Sequence, residues 1–219
     1  MSFLERHRPQ SVGQLVFASD LTREQISMQM ARTPPRCLLL HGPFGSGKSV
    51  AAEAIARTLL DDNYEFNVIT KPADQITIGS IDGIRRFFGL VPVCAPFRLA
   101  VINELHKVKP DVQVALRDVA DTIDPYGFIV ATVNDMSAVD PGILDRFSHI
   151  FLDQPVGERW MGRARQILAA EGVVVPDATL LSILKNNDRS IRTIMRALED
   201  LVDMARANAR QQKAAAGTK

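Results

Sequence analysis

Five short apolar runs punctuate the first two thirds of the chain: CLLLH at 37–41, FNVIT at 66–70, RLAVIN at 98–103, GFIVATVN at 127–134 and HIFLDQP at 149–155. Amphipathic stretches follow the first three, so strand-like and helix-like periods alternate. That alternation predicts a parallel sheet covered by helices on both faces. The helix after the first strand reads SVAAEAIARTLL, with Ala52, Ile55, Ala56 and Leu59 at helical spacing, a stripe expected to be core. After Pro155 the strand pattern stops and three helical segments take over, at about 157–170, 177–186 and 190–207, the middle one opening at Pro176 and Asp177. These patterns predict an α/β domain over residues 1–154 and a helical domain over 155–207. Residues 208–219 contain no large apolar side chain and are expected to form a frayed or disordered tail.

Composition adds few surprises. The 219 residues are 46% hydrophobic and 23% charged, enough for one core plus a small second domain. Cys37 and Cys94 are too few for a tetrahedral zinc site and read as small buried apolar residues in a reducing compartment. No apolar run reaches about 18 residues and the N-terminus MSFLERHRPQ is charged at once, so neither a membrane span nor a secretory signal is expected, and the location implied is cytoplasmic. A net charge of +1 means that any contact with DNA must come from a local basic patch or from copies gathered in a ring.

The chemistry begins directly after CLLLH, where Gly42–Pro43–Phe44–Gly45–Ser46–Gly47–Lys48–Ser49 fits the phosphate-loop spacing, with Val50 entering the helix behind it. Glycines let backbone N–H groups converge on a β-phosphate, Lys48 reaches β and γ oxygens, Ser49 offers a hydroxyl to magnesium, and the helix N-terminus adds positive potential. Placed between a predicted strand and a predicted helix, the motif implies a nucleoside triphosphate.

Further motifs resemble those of the AAA+ ATPases, and within them the small subunits of clamp loaders of the replication factor C and bacteriophage type. FLERHRPQSVGQLV resembles the family's opening segment, whose backbone lies against adenine, which assigns Arg8 and Pro9 to the nucleotide. VINELHKVKPDVQVALRDV resembles Walker B and the helix after it, with Gln113, Leu116 and Arg117 at the family's spacing. ATVND puts Asn134 at sensor 1, LDRF puts Arg146 at the arginine finger, and RSIR puts Arg192 at sensor 2. The resemblance implies a P-loop AAA+ domain with a five-stranded parallel sheet sandwiched by helices, then a three-helix lid. It also implies ATP and Mg2+ as ligands, and Glu104, Asn134, Lys48 and a neighbour's Arg146 as the catalytic set. Arg146 acting in trans requires other AAA+ subunits, identical or different. Each position has a plainer reading: Asn134 as a turn cap, Arg146 as an exposed charge, and either Arg192 or Arg196 as a solvated helix charge.

One position departs from the family. Where Walker B ends in Asp-Glu, this chain has Asn103 and Glu104. The amide keeps the shape and one acceptor oxygen toward a metal but gives up the charge, and a charge-assisted hydrogen bond is worth about 1.5–3 kcal/mol. Full loss of that in the transition state slows hydrolysis by about one or two decades without abolishing nucleotide binding. The expectation is a slow but live ATPase; the alternative is a weakly hydrolysing scaffold or switch subunit.

The segment SIDGIR resembles the clamp-loader helix that tracks the DNA backbone, with Ser80 as its expected N-cap and Arg85 and Arg86 facing phosphates, while Phe87, Phe88 and Leu90 turn to the core. This implies primer-template DNA and a sliding clamp as partners, and no membrane. A remodeller of another protein complex is the competing class, but ITKPADQITIGS lacks the pore-loop aromatic usual in threading machines, and a branch-migration motor or initiator would normally carry a winged-helix domain. Typical small subunits continue into a helical collar of about a hundred residues. Here the expectation is either that the collar was removed or that assembly runs through the ATPase domains or partners alone.

Overall fold

The computed structural model describes residues 1–32, 37–123 and 127–216, with side chains through Gln211. The chain divides into two compact units, Pro9–Leu15 with Ser19–Asp153, and Met1–Arg8 with Val16–Ala18 and the chain from Gln154 onward. The long C-terminal segment of the second of these units begins at Gln154. The first eight residues do not belong with the sheet as the sequence pattern suggests for 1–154, because Phe3 is buried at 3% exposure in the core of the helical unit.

In the larger unit the described strands are β1 (Leu38–His41), β2 (Val68–Pro72), β3 (Arg98–Asn103), β4 (Gly127–Val133) and β5 (Ser148–Phe151). They form a five-stranded sheet in the order β2-β3-β4-β1-β5, with every pairing parallel. Flanking it are α2 (Asp20–Met30), α3 (Lys48–Leu60), α4 (Tyr64–Asn67), α5 (Ile78–Phe88), α6 (Pro110–Thr122) and α7 (Pro141–Arg146); α1 (Phe3–Arg6) lies in the other unit. The continuous apolar strands make sense because both faces are covered. Leu39, Ile102, Ile129 and Ala131 join Ile84 of α5 and Leu116 of α6 in one cluster. Their alternate neighbours Leu38, Leu40, Val101 and Val130 are equally buried.

Local expectations shift where tertiary bonds intervene. FNVIT starts as a strand only at Val68, since Tyr64–Asn67 is helical and the Asn67 amide is tied to Asn63 O at 2.9 Å and to Val93 O and N at 2.8 Å each. On α3 the apolar stripe is wider than expected: Ala51, Ala54 and Leu60 are buried with Ala52, Ile55 and Ala56, whereas Leu59 is only half-buried. Phe88 is buried, but Phe87 is partly covered and Leu90 is 58% exposed. Cys94 is exposed and adopts φ +50°, against the buried reading. Cys37 is partly accessible as a residue, yet burial of its thiol pushes the pKa up to about 12.

The smaller unit holds α8 (Met161–Ala170), entered through a 3-10 turn at Gly157–Trp160, then α9 (Asp177–Asn186) and α10 (Ile191–Ala216). Gly157 is required by close approach, since a Cβ there would sit 2.8 Å from the Leu184 backbone. The expected tail is helical through Ala216, because DMARANARQQKAAA is rich in alanine and other good helix formers and needs no buried face to continue the helix; residues 217–219 lie outside the described residues. No helix among the described residues is long and apolar enough to cross a membrane.

Glu171 ties this unit together. Its Oε1 accepts from His7 Nε2 at 2.7 Å and Arg6 Nη2 at 3.2 Å, and its Oε2 from Arg206 Nη2 at 2.6 Å. The His7 hydrogen bond, with the Arg6 and Arg206 charges, holds its pKa below the ordinary carboxylate value. A carboxylate depressed in the folded state contributes stability above its unfolded pKa and loses it as pH falls through the folded one. Thermal unfolding of the wild type is therefore expected to steepen its decline as pH drops below the usual glutamate range, and Glu171→Gln to remove that part of the slope, as calorimetry across pH would record.

Candidate functional site

The parallel register brings three strand ends to one edge: His41 of β1 pairs with Val133 of β4, and Ile102 of β3 pairs with Ala131. Residues just beyond β1, β3 and β4 are thereby gathered at the carboxyl edge of the sheet, where open α/β sheets hold ligands. Those residues are the phosphate loop, Asn103–Glu104 and Asn134.

The loop is built for close backbone approach. Gly42 has φ +142°, and a Cβ there would meet Leu152 O at 2.1 Å. Gly47, at φ +87°, opens α3 with no side-chain cap, which leaves the N–H groups of a 13-residue helix to another acceptor. Lys48 is buried, and its Nζ donates to Gly42 O at 2.9 Å and Pro43 O at 2.7 Å. Burial lowers the Lys48 pKa, against the opposing charge of Glu104. Ser46 is buried, Ser49 is exposed in the first turn of α3, Pro43 and Val50 are half-buried, and the Phe44 ring is 71% exposed.

Thr132, buried in β4, connects the next elements. Its hydroxyl accepts from Glu104 N at 3.0 Å and donates to Asn103 Oδ1 at 3.4 Å. Glu104 turns in the left-handed region at φ +60°, and its carboxylate accepts from Lys107 Nζ at 2.7 Å. Asn134 follows β4, and its N–H donates to His106 Nδ1 at 3.4 Å. It does not cap the next turn, a task done by Asp135, whose Oδ1 accepts from Ser137 N. Burial lowers the His106 pKa, in keeping with a neutral ring that can accept.

Gln113 joins the Walker B segment, the segment after Asn134 and the start of α7. From a buried position it donates to Val108 O at 2.9 Å and Ala138 O at 3.0 Å, and accepts from Asp140 N at 2.7 Å. Asp140 in turn caps α7 by accepting from Ile143 N at 3.2 Å. Gln113→Ala strands two carbonyls and one N–H, at a cost of about 1–3 kcal/mol for each group left unsatisfied; urea unfolding is expected to show the midpoint falling with an unchanged slope. Arg146 ends α7, exposed, with its guanidinium on Asp121 of α6 and on Gly142 O.

On α5 the N-cap is Thr77, which accepts from Ser80 N; Ser80 sits inside the first turn and donates to Gln75 O at 3.0 Å. Thr77 wins because its backbone is extended while residues 78–80 are already helical. Arg85 and Arg86 are both exposed on this helix. Pro9 lies in the larger unit and Arg8 in the smaller one, with Arg192, exposed in the first turn of α10. The sequence reading missed Thr132, Lys107, His106 and Asp121; only their nearness in the chain to known motifs hinted at them.

Residues 38–154 match the model of the ATPase family associated with various cellular activities (AAA). Among similar sequences, replication factor C small subunit 2 of Pyrobaculum aerophilum is 27% identical over 208 residues, covering 94% of this chain and 65% of the relative. The replication factor C small subunit of Archaeoglobus fulgidus is 26% identical over 201 residues, covering 90% of this chain and 62% of the relative. The chain thus spans less than two thirds of either relative's length. In fold it is similar to the Thermotoga maritima RuvB Holliday junction branch migration motor, with a TM-score of 0.75 at 20% identity over 95% of this chain and 68% of that one. Domain III of the Thermotoga maritima replication initiation protein DnaA superposes with a TM-score of 0.72 at 15% identity, over 91% of this chain and 90% of that one. Because the family match takes in more than half of the chain, and runs from β1 through the whole carboxyl edge just described, this chain belongs to the AAA ATPase family.

Proposed function

We propose that this chain binds ATP with Mg2+ and hydrolyses it slowly, as a subunit of a ring or partial ring that acts on DNA in the manner of a clamp loader. The observation that carries the reading is the convergence of phosphate loop, Asn103–Glu104 and Asn134 on one sheet edge, with Thr132 bridging the middle pair. The donor set suits a triphosphate: an uncapped helix N-terminus and the Lys48 ammonium, which now rests on loop carbonyls. Ser49 and the Asn103 oxygen would hold the magnesium, which when bound neutralises phosphate charge. Glu104 orients and polarises the attacking water, Asn134 fixes its position, Lys48 draws charge from the γ-phosphate, and the family resemblance assigns Arg192 the sensor 2 role. Arg8 and Pro9 place adenine, and Arg146 completes the site of a neighbouring subunit.

DNA and a sliding clamp are proposed from the replication factor C relatives and from surfaces of the larger unit. The exposed N-terminal turn of α5 and its Arg85 and Arg86 suit a phosphate backbone. At the opposite end of β3, Phe66, Leu90, Val91 and Val93 expose 64%, 58%, 85% and 44% of their surface, which makes an apolar face for a protein partner. Arg98 holds that face in shape from beneath, donating to Leu90 O, Val91 O and Phe66 O. The test is steady-state ATP turnover by the assembled protein with primed DNA and its cognate clamp. Stimulation by both is expected, and none by either would sink the clamp-loader reading.

The Lys107–Glu104 pair favours a second reading, in which the nucleotide is a switch ligand and is hydrolysed poorly. Single-turnover measurements separate the two: the switch reading expects bound ATP to outlast many cycles of assembly and release.

A further inference from the structure

Arg146 is held by its own chain. Its Nη2 donates to Asp121 Oδ2 at 2.8 Å, its Nε to Asp121 Oδ1, and its Nη1 to Gly142 O at 2.8 Å. Among the described residues these bonds engage three of the five guanidinium N–H groups and leave one on each Nη nitrogen. The bidentate grip takes the side of the guanidinium, which leaves the tip fork for a further acceptor.

An exposed ion pair of this kind contributes little to folding stability. What it does fix is direction, since a free arginine at the end of a short surface helix samples many rotamers. Asp121 is charged at neutral pH, because the Arg146 hydrogen bond holds its pKa below the ordinary value. The backbone around Arg146 is also set, by the Asp140 cap and by Arg117 Nη1 3.7 Å from Asp140 Oδ1.

We propose that Asp121 is the positioning residue of Arg146, holding the guanidinium side-on so that its two remaining N–H groups meet a phosphate oxygen of the nucleotide on a neighbouring subunit. The inference rests on the proposed role of Arg146 in trans. Ordering happens once, when the chain folds, and is not repeated at each encounter with nucleotide. The surplus positive charge at the tip is reduced by the carboxylate, but the direction of the fork is gained.

Mixed assemblies test it. A donor chain carrying Lys48→Ala cannot use its own phosphate loop but presents Arg146; an acceptor chain carrying Arg146→Ala has an intact loop but no finger. Turnover then reports donor fingers in acceptor sites. Asp121→Ala in the donor is expected to lower this turnover about tenfold, and by no more than the roughly thirtyfold that arginine side-chain ordering can supply. Asp121→Glu is expected to restore part of it, and Asp121→Ala in the acceptor, which has no Arg146 to position, to change nothing. An equal loss from either chain would show a general structural effect and overturn the proposal, as would a gain from the donor, which would make Asp121 a sequestering group. If adding Arg146→Ala to the donor leaves turnover unchanged, the trans reading of Arg146 fails and takes this inference with it.

Discussion

Arg146→Ala is expected to cut ATP turnover by about a thousandfold or more while nucleotide affinity stays within a few-fold of wild type. Supplying a guanidinium to a transferring phosphoryl group is worth about 10³–10⁵ in rate, because charge develops on the equatorial oxygens at the moment when no water can screen it. Arg146 ends α7, exposed and always charged, and among the described residues its bonds to Gly142 O and Asp121 leave one N–H on each Nη nitrogen. Its bonds to Asp121 and Gly142 are at the surface, so the substitution should leave the unfolding midpoint nearly in place. Arg146→Lys should not rescue, since an ammonium cannot keep the bidentate grip and offer a fork as well. Parallel measurement of turnover and of fluorescent-nucleotide binding checks all of this; an unchanged rate would leave no reason to require a neighbour for catalysis.

Asn103→Asp is expected to raise turnover about ten- to a hundredfold and to lower the magnesium concentration needed for half-maximal rate. The side chains are nearly equal in shape, and the hydrogen bond from Thr132 uses Asn103 Oδ1, an oxygen that aspartate also supplies. What changes is charge: a carboxylate facing a hydrated divalent cation gains about 1.5–3 kcal/mol over an amide, or about one to two decades of rate. The cost is a second carboxylate beside Glu104, so without magnesium the variant should bind nucleotide no better than wild type. If the rate rises only slightly, Lys107 on Glu104 is the limiting restraint and the switch reading gains ground.

Much of this site is legible in the order of residues along the chain. Parallel strands buried on both faces must be continuously apolar, so β1, β3 and β4 stand where the pattern puts them within a residue or so, and the helical period likewise places α9 in the smaller unit. The phosphate loop is similarly legible because backbone geometry requires glycines at set intervals. The misreadings share one cause. FNVIT has a strand's composition, but Asn67 is claimed by Val93, twenty-six residues on. Leu90 is apolar enough for a core, yet it lies on a segment held outward by Arg98. Phe3 reads as the start of the sheet domain and instead fills the helical unit.

The sequence alone determined the secondary-structure menu, the phosphate loop and the Asn103 departure, since these depend on local periodicity, on residues that tolerate left-handed backbone, and on identity at one position. The tertiary structure decided which polar groups meet: Thr132 with Asn103 and Glu104, Gln113 with three separate segments, Asp121 with Arg146, and Glu171 with Arg6, His7 and Arg206. Such pairings join residues far apart in the chain, or on different helices, and hydrogen bonds need partners within about 3 Å. No local pattern encodes that distance; the packing of strands and helices sets it.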